Sequence, residues 1–331
     1  MLTFIIRRLI IMIPLLFLIS ILCFMIIQLP PGSYVSTYIA RLETSGYKVD
    51  QTVITQLTRQ YGLDKPVYVQ YFLWIKNIIL DANFGMSFIE NRPNAEIIQE
   101  RLPMTIYIAL ITILFTWTIA IPIAIYSATH QYSVGDYTFT LIGFAGMAIP
   151  QFLFALVLVW FLYSQTGWVV TGLFSMEFAH KDWSLAKFAD LLKNLWIPIL
   201  VVGTAGTAGM IRVMRATLLD ELKKQYVITA RAKGVSERNL LFKYPVRVAI
   251  NPVISTIGWV LPQTISGMVI TTIVLNLQTI GPALLNAVLT QDMYLAGAIV
   301  MLLSSLTVIG TFISDLLLVW IDPRIRYEER R

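Results

Sequence analysis

The feature that most constrains this chain is a recurrence of apolar stretches long enough to cross a bilayer. Ile10 to Leu29 is the first, with a core of about twenty residues, the length that spans a hydrocarbon layer at 1.5 Å per residue. Five more follow, at Met104–Ala128, Tyr137–Tyr163, Trp196–Ile211, Pro252–Leu275 and Tyr294–Ile321. Backbone groups in lipid must be satisfied within the segment, so runs of this length have to be helices. The expected fold class is therefore an all-α polytopic membrane protein with six transmembrane helices. Composition agrees: 57% of the 331 residues are hydrophobic and 13% charged, where a soluble domain carries about 25% charged residues.

Charge placement sets the expected topology. The N-terminus holds Arg7 and Arg8, the segment between the fourth and fifth runs holds nine Lys or Arg, and the tail from Asp322 to Arg331 holds four. The longer segments on the other side hold ten, and acidic residues favour that side. The positive-inside rule then places both termini and the loop from Arg212 to Asn251 in the cytosol. The same distribution accounts for the net charge of +6 without nucleic acid as a partner. Arg7 and Arg8 precede an apolar core longer than that of a secretory signal, so residues 1–29 read as a cytosolic N-terminus and a retained first span.

Residues 30–103 are too polar to span and read as a small helical extracytoplasmic insertion. A helix capped by Asp50 runs to Tyr61 and stops at Gly62. A second starts at Pro66, with Val67, Tyr71, Trp74 and Ile78 on one face. Asp81 to Gly85 is a turn, and a third short helix from Asn94 ends at Pro103. Residues 104–331 form the five-helix membrane core. Its fourth run repeats Gly203, Gly206 and Gly209, small residues that let backbones approach closely. Gly281-Pro282 marks a turn, or the tip of a re-entrant dip, before the last run.

Chemistry-bearing constellations are sparse. Cys23, the single cysteine, lies in an apolar run and cannot form an intrachain disulfide. His130 and His180 lie in separate loops, which gives no metal site. Asp315 is the ionisable residue within a span and reads as a partner for a basic group at the inner interface. No phosphate-binding G-x-x-x-x-G-K, zinc-binding H-E-x-x-H or nucleophile-elbow G-x-S-x-G sequence occurs. The chain reads as a non-catalytic, cofactor-free pathway whose energy arrives from outside. A stand-alone carrier or channel would need more intramembrane charge, and an intramembrane enzyme would need paired catalytic groups.

The loop at 212–251 offers a route for that energy. Leu218 to Lys233 has helix-forming residues with no Pro or Gly, Gly234 stops the helix, and Ser236 N-caps a second short one. Apolar or small residues at Tyr226, Val227, Ala230 and Ala232 suit a short helix laid into a groove on another protein.

The sequence Tyr-Val-Ile-Thr-Ala-Arg-Ala-Lys-Gly at 226–234 resembles the coupling loop of ABC-importer membrane subunits in the dipeptide, oligopeptide and nickel transporter family. The general importer consensus is Glu-Ala-Ala, three residues, then Gly. Only Ala230 of that triplet is kept here, with Ile228 and Thr229 replacing the first two, as is usual in the peptide branch. Fragments in order along the chain add to the resemblance: Arg7-Arg8 with Pro14, Leu29-Pro-Pro-Gly32, Tyr61-Gly-Leu-Asp-Lys-Pro66, Val69-Gln-Tyr71 with Trp74, Asn83-Phe-Gly85, Arg92-Pro93 and Glu100-Arg-Leu-Pro103. The resemblance implies a type I importer permease fold in a bacterial or archaeal cytoplasmic membrane. It implies a second, similar permease, two ATPase subunits that hold the ATP and magnesium, and an extracytoplasmic substrate-binding protein. It assigns Tyr226, Val227, Thr229, Ala230, Arg231, Ala232, Lys233 and Gly234 to coupling. Family substrates are di- and oligopeptides, with glutathione, nickel chelates and oligosaccharides as alternatives.

Overall fold

The computed structural model describes residues 2–29, 55, 58–59, 64–87, 89–170, 172–175, 177–178, 181–255 and 257–321. The helix expected between Asp50 and Tyr61 and the basic tail lie almost wholly outside these residues. The chain divides into two compact units, Met1–Pro103 with Pro282–Val308, and Met104–Gly281 with Ile309–Arg331.

The first unit is built on α1 (Leu2–Gln28) and α2 (Val67–Asp81). Pro66 sits at the N-cap of α2, where its fixed φ and missing N–H cost nothing. Tyr71 and Trp74 of α2 pack on Cys23, Phe24 and Ile27 of α1, and Ile78 lies against the same cluster. Val67, expected on that face, is exposed. The Tyr71 hydroxyl lies 2.8 Å from Ser20 Oγ, which satisfies both polar groups in an apolar setting. After α2 the chain turns through Ala82 and Gly85, both at positive φ, as the sequence of the turn predicts. It then forms a two-residue ladder, β1 (Met86–Ser87) against β2 (Arg92–Pro93), in antiparallel register.

Next comes α3 (Asn94–Thr129), and here the expectation is corrected. Pro103 does not end a short helix. It lies inside one 36-residue helix that runs straight into the first membrane run of the core. An interior proline forfeits one backbone hydrogen bond and crowds a carbonyl, at a cost of about 3 kcal/mol. The apolar turns that follow outweigh this by burying Ile108, Ala109, Ala120 and Ala124.

The second unit is arranged around α6 (Leu185–Leu222), which extends well beyond the expected Trp196–Ile211 at both ends. Ser184 caps it by accepting from Lys187 N. Glycines bring neighbours against this helix. A Cβ on Gly203 would stand 2.7 Å from Phe115 of α3. A Cβ on Gly146 of α4 (Val134–Ala148) would stand 2.7 Å from Thr204. Gly206 has Thr116 at ordinary contact, and Gly209 has nothing within 4 Å.

The run expected as one third span is two helices, α4 and α5 (Gln151–Thr166), meeting at 101°. Pro150 explains the break, since it drives the preceding residue out of the helical region, and Ile149 is extended (φ −87°, ψ 123°). The N-terminus of α4 is fastened to α6 by Asp136, which is buried. Its carboxylate accepts from Arg215 Nε at 3.1 Å and Nη2 at 2.8 Å, and from the Tyr132 backbone N–H. Ser133 accepts from Asp136 N at the same cap.

Beyond α6 come α7 (Gln225–Ala232), α8 (Glu237–Lys243) and α9 (Pro245–Ala249). The run expected as the fifth span is likewise in pieces: α10 (Asn251–Ser255), α11 (Ile257–Gly267) and α12 (Val269–Val274). Gly267 ends α11, whereas Pro252 lies in the first turn of α10 and Pro262 inside α11, so neither of these prolines marks a break. Gly281-Pro282 lies in the first turn of α13 (Ile280–Leu289), so it opens a helix instead of forming a turn. The last helix, α14 (Met293–Ile321), follows, with Asp315 half-buried on it. Ser314 of α14 donates to the carbonyls of Ile254 and Ser255, satisfying backbone groups freed near the α10 end. Among the described residues, four helices are long and apolar enough to cross a membrane, or five if α4 and α5 count as one broken span.

Two substitutions test this packing. Gly203→Val should overpack the α3–α6 contact and cost roughly 1–3 kcal/mol, seen as a lower thermal midpoint of the purified protein, while Gly209→Ala, which meets open space, should raise the midpoint slightly through helix propensity. Arg215→Ala should cost about 3 kcal/mol or more by stranding the buried Asp136 carboxylate, and Asp136→Asn in the same background should recover part of that loss.

Candidate functional site

The segment that leaves the membrane core after α6 folds back on itself. The expected single helix from Leu218 to Lys233 is broken at Lys223 and Lys224, where α6 ends and α7 begins. The stop at Gly234 stands as the sequence predicts. Its φ is +77°, and the turn closes by Gly234 N to Arg231 O at 3.0 Å and Val235 N to Ala230 O at 3.3 Å. The second bond, from the residue after a left-handed glycine to a carbonyl five positions back, satisfies an orphan C=O at a helix end. Val235 also packs beside Ala230, the apolar contact that accompanies such a closure. Ser236 occupies the N-cap of α8, though its side chain makes no capping bond.

The eight residues grouped by sequence divide into two sets. Val227 and Ala230 are buried with Leu240 of α8 in a small core, joined by Val235 and Tyr244. Tyr226, Thr229, Arg231, Ala232, Lys233 and Gly234 are exposed, as is Ile228 at 47%. The exposed set is held in place by local bonds. Tyr226 Oη donates to Glu221 Oε2 at 2.5 Å, and Thr229 Oγ1 donates to Gln225 O. The Arg231 guanidinium makes a two-point contact with Glu237, at 2.6 and 3.0 Å. That hydrogen bond holds the Glu237 carboxyl below its ordinary pKa, opposed by a little desolvation and aided by Arg231's charge. The result is a helical tip showing Ile228, Ala232 and Lys233 outward.

The tip is fixed to the membrane core through α9. Val246 and Ala249 are buried with Met214 and Leu218 of α6 and with Ala124 and Ala128 of α3, and Leu241 of α8 packs against this cluster. Arg215 lies between Met214 and Leu218 on α6 and carries the ion pair to Asp136. Sequence reading missed both partners of this pair. The signal for Asp136 was present as Ser133-x-x-Asp136, the spacing of a helix N-terminus.

Within the second unit lies a cavity of about 310 Å³, lined among others by Thr112, Thr116, Trp117, Gln151, Gly209 and Gln263. None of its lining residues is charged. Thr112, Thr116, Gln151, Gln263 and Thr264 are the polar residues of its otherwise apolar, neutral wall, while Thr112 Oγ1, Trp117 Nε1 and Gln151 Oε1 are buried without a protein partner. Gly206 and Gly209 line this cavity too, so the glycine repeat divides: Gly203 packs tightly, while Gly209 leaves open space. Among the described residues no three His, Cys, Asp or Glu side chains gather as metal ligands.

Comparison with known proteins bears on this arrangement. Residues 120–327 match the family described as binding-protein-dependent transport system inner membrane component, and residues 1–109 match the N-terminal membrane-component family of the same systems. The chain is 34% identical over 328 residues to the oligopeptide transport system permease protein AppB of Bacillus subtilis (strain 168), covering 99% of this chain and 100% of that one. It is 31% identical over 327 residues to a putative peptide permease protein of Brucella ovis, covering 98% and 99%. It is 29% identical over 328 residues to the glutathione transport system permease protein GsiC of Escherichia coli (strain K12), covering 99% and 100%. With the family matched over most of its length and relatives similar from end to end, the chain belongs to the binding-protein-dependent transport system inner membrane components, the helical permeases of ABC importers.

Proposed function

We propose that this permease carries di- and oligopeptides, forming half of a translocation pathway with a second, homologous permease. The observation that carries the reading is the helical tip at 225–243, exposed outward yet packed through α9 onto α6 and α3. Two partner ATPases bind ATP and magnesium and close on each other, and the tip passes that movement to α6. An extracytoplasmic binding protein delivers substrate from the other side. The chain itself hydrolyses nothing. Six spans place both termini and the 212–251 loop in the cytosol and residues 30–103 outside, with the broken runs at α4–α5 and α10–α12 completing the count.

A peptide substrate is supported by the neutral, hydrogen-bonding cavity and by two relatives named as peptide or oligopeptide permeases. The relative named for glutathione, itself a small peptide, keeps glutathione as the second reading. A substrate can drive the cycle only through unequal affinity for its two states, so the binding protein and the tip must each contact those states differently.

Coupling follows from local geometry. Gly234→Val forces a β-branched residue into positive φ, at about 1–2 kcal/mol or more, and should abolish peptide-stimulated ATPase activity, whereas Gly234→Asn should retain most of it because Asn tolerates this region. Ile228→Asp, at an exposed position, should leave the chain folded in the membrane while weakening copurification of the ATPases by tenfold or more. Ala230→Leu should act differently, lowering stability by roughly 1–3 kcal/mol through the core with Val227 and Leu240. The decisive assay is ATPase activity of the reconstituted complex with peptides loaded on the binding protein. Stimulation by glutathione but by no other peptide would overturn the wider substrate class. Because a depressed carboxyl pKa gives stability above its unfolded value and loses it only as pH falls through the folded one, the Arg231–Glu237 contact should not change between about pH 6 and 8. Coupling measured over that window should therefore show no step from this pair.

A further inference from the structure

We propose that α2 lies in the outer boundary of the bilayer and presents one face to lipid acyl chains, although it belongs to a segment too polar to span. The inference rests on the membrane placement of α1 and is independent of the substrate.

The first observation is depth. α1 is apolar up to its end at Gln28. Tyr71 and Trp74 of α2 pack against Phe24, one turn or about 6 Å before that end. The Tyr71 hydroxyl reaches Ser20, about 12 Å before it. At its own level, Gln70 meets Gln28 at 3.0 Å. The helix therefore crosses α1 within the last turns of the apolar run, where the hydrocarbon gives way to headgroups. Beside these contacts, Leu18, Leu22 and Met25 of α1 are more than half exposed, as expected of a lipid-facing flank.

The second observation is the distribution of side chains around α2. At about 100° per residue, Gln70, Asn77 and Asp81 fall within one strip of about 40°. Asn77 and Asp81 line a cavity of about 430 Å³ with Asn83, and Asp81 and Asn83 are exposed. The side that holds Tyr71, Trp74 and Ile78 is covered by protein. Between these lies an uncovered arc with Tyr68, Phe72, Ile79 and Leu80, all between 59% and 71% exposed. Lys76 is the charge on that arc, and a lysine stem can lie along apolar surface while its ammonium reaches the headgroups. Tyr68, Tyr71 and Trp74 are residue types that gather at membrane boundaries. A helix with a narrow polar strip and a wide apolar remainder lies in the interface plane, its apolar side about 5–10 Å deep.

The test uses the full chain in lipid nanodiscs, with Cys23→Ala as background and a nitroxide attached at Phe72→Cys, Ile79→Cys or Asn83→Cys. Collision of the label with oxygen and with a water-soluble nickel chelate is measured at each site. Labels at 72 and 79 should collide with the chelate at least severalfold less than the label at 83, and more with oxygen. Equal chelate access at all three sites would overturn the proposal in favour of a solvated helix. Loss of both collisions at 72 and 79 on adding the substrate-binding protein would overturn it in favour of a protein docking face. Should either variant fail to insert, Tyr68→Cys and Leu80→Cys report on the same arc.

Discussion

The second unit depends on close contact between α6 and its neighbours. Lipid tails are as apolar as the side chains they meet, so burying hydrophobic area gives membrane helices little reason to associate. Shape has to supply it. Gly203 and Gly146 do so by removing side chains where Phe115 and Thr204 press in. Along the same helix, Gly209 removes a side chain where no neighbour follows, and the space becomes part of the neutral cavity. One sequence device thus gives both adhesion and a hollow, and which it gives depends on what the facing helix offers.

Helix interruptions complement this packing. An unpaired backbone group in hydrocarbon is costly, so breaks survive where protein or a cavity covers them. The break at Pro150 lies beside Gln151, which lines the cavity, and α11 supplies Gln263 to the same wall. The carbonyls freed near the end of α10 are met by Ser314 of α14. The break at Pro150 thus flanks the hollow, while the one after α10 is covered by a side chain of α14.

Much of this was legible from the chain, and the misses share a cause. Periodicity and length located α1, α2, α6 and α14, and local chemistry located the turn at Gly85 and the stop at Gly234, because each of those signals acts within a few residues. Proline was the unreliable sign. Pro66 caps α2 as its sequence predicts, but Pro282 sits in a helix first turn, Pro103 and Pro14 lie within helices, and Pro150 produces a bend of 101°. The residue is the same each time, and tertiary contacts decide whether its lost hydrogen bond is tolerated or relieved by breaking. The division of the loop residues into buried Val227 and Ala230 and an exposed remainder was also hidden, because it depends on Leu240, which returns only after the turn.

That division bears on how force could pass through the tip. A docking helix attached only by its chain ends would flex when pushed and deliver little to the membrane. Here the inward face of α7 is packed on α8, α8 leads through Tyr244 into α9, and α9 is buried against α6 beside Met214 and Leu218. Arg215, between those two residues, holds the start of α4 through a two-point contact with Asp136. Packed interiors deform little, so a displacement of the tip would reach both the long helix and the first arm of the bent pair. The cavity is lined by α6 and by residues on either side of the Pro150 bend. Any tilt of α6 against α4 would therefore alter its walls, and the two-point Asp136–Arg215 contact resists such a tilt.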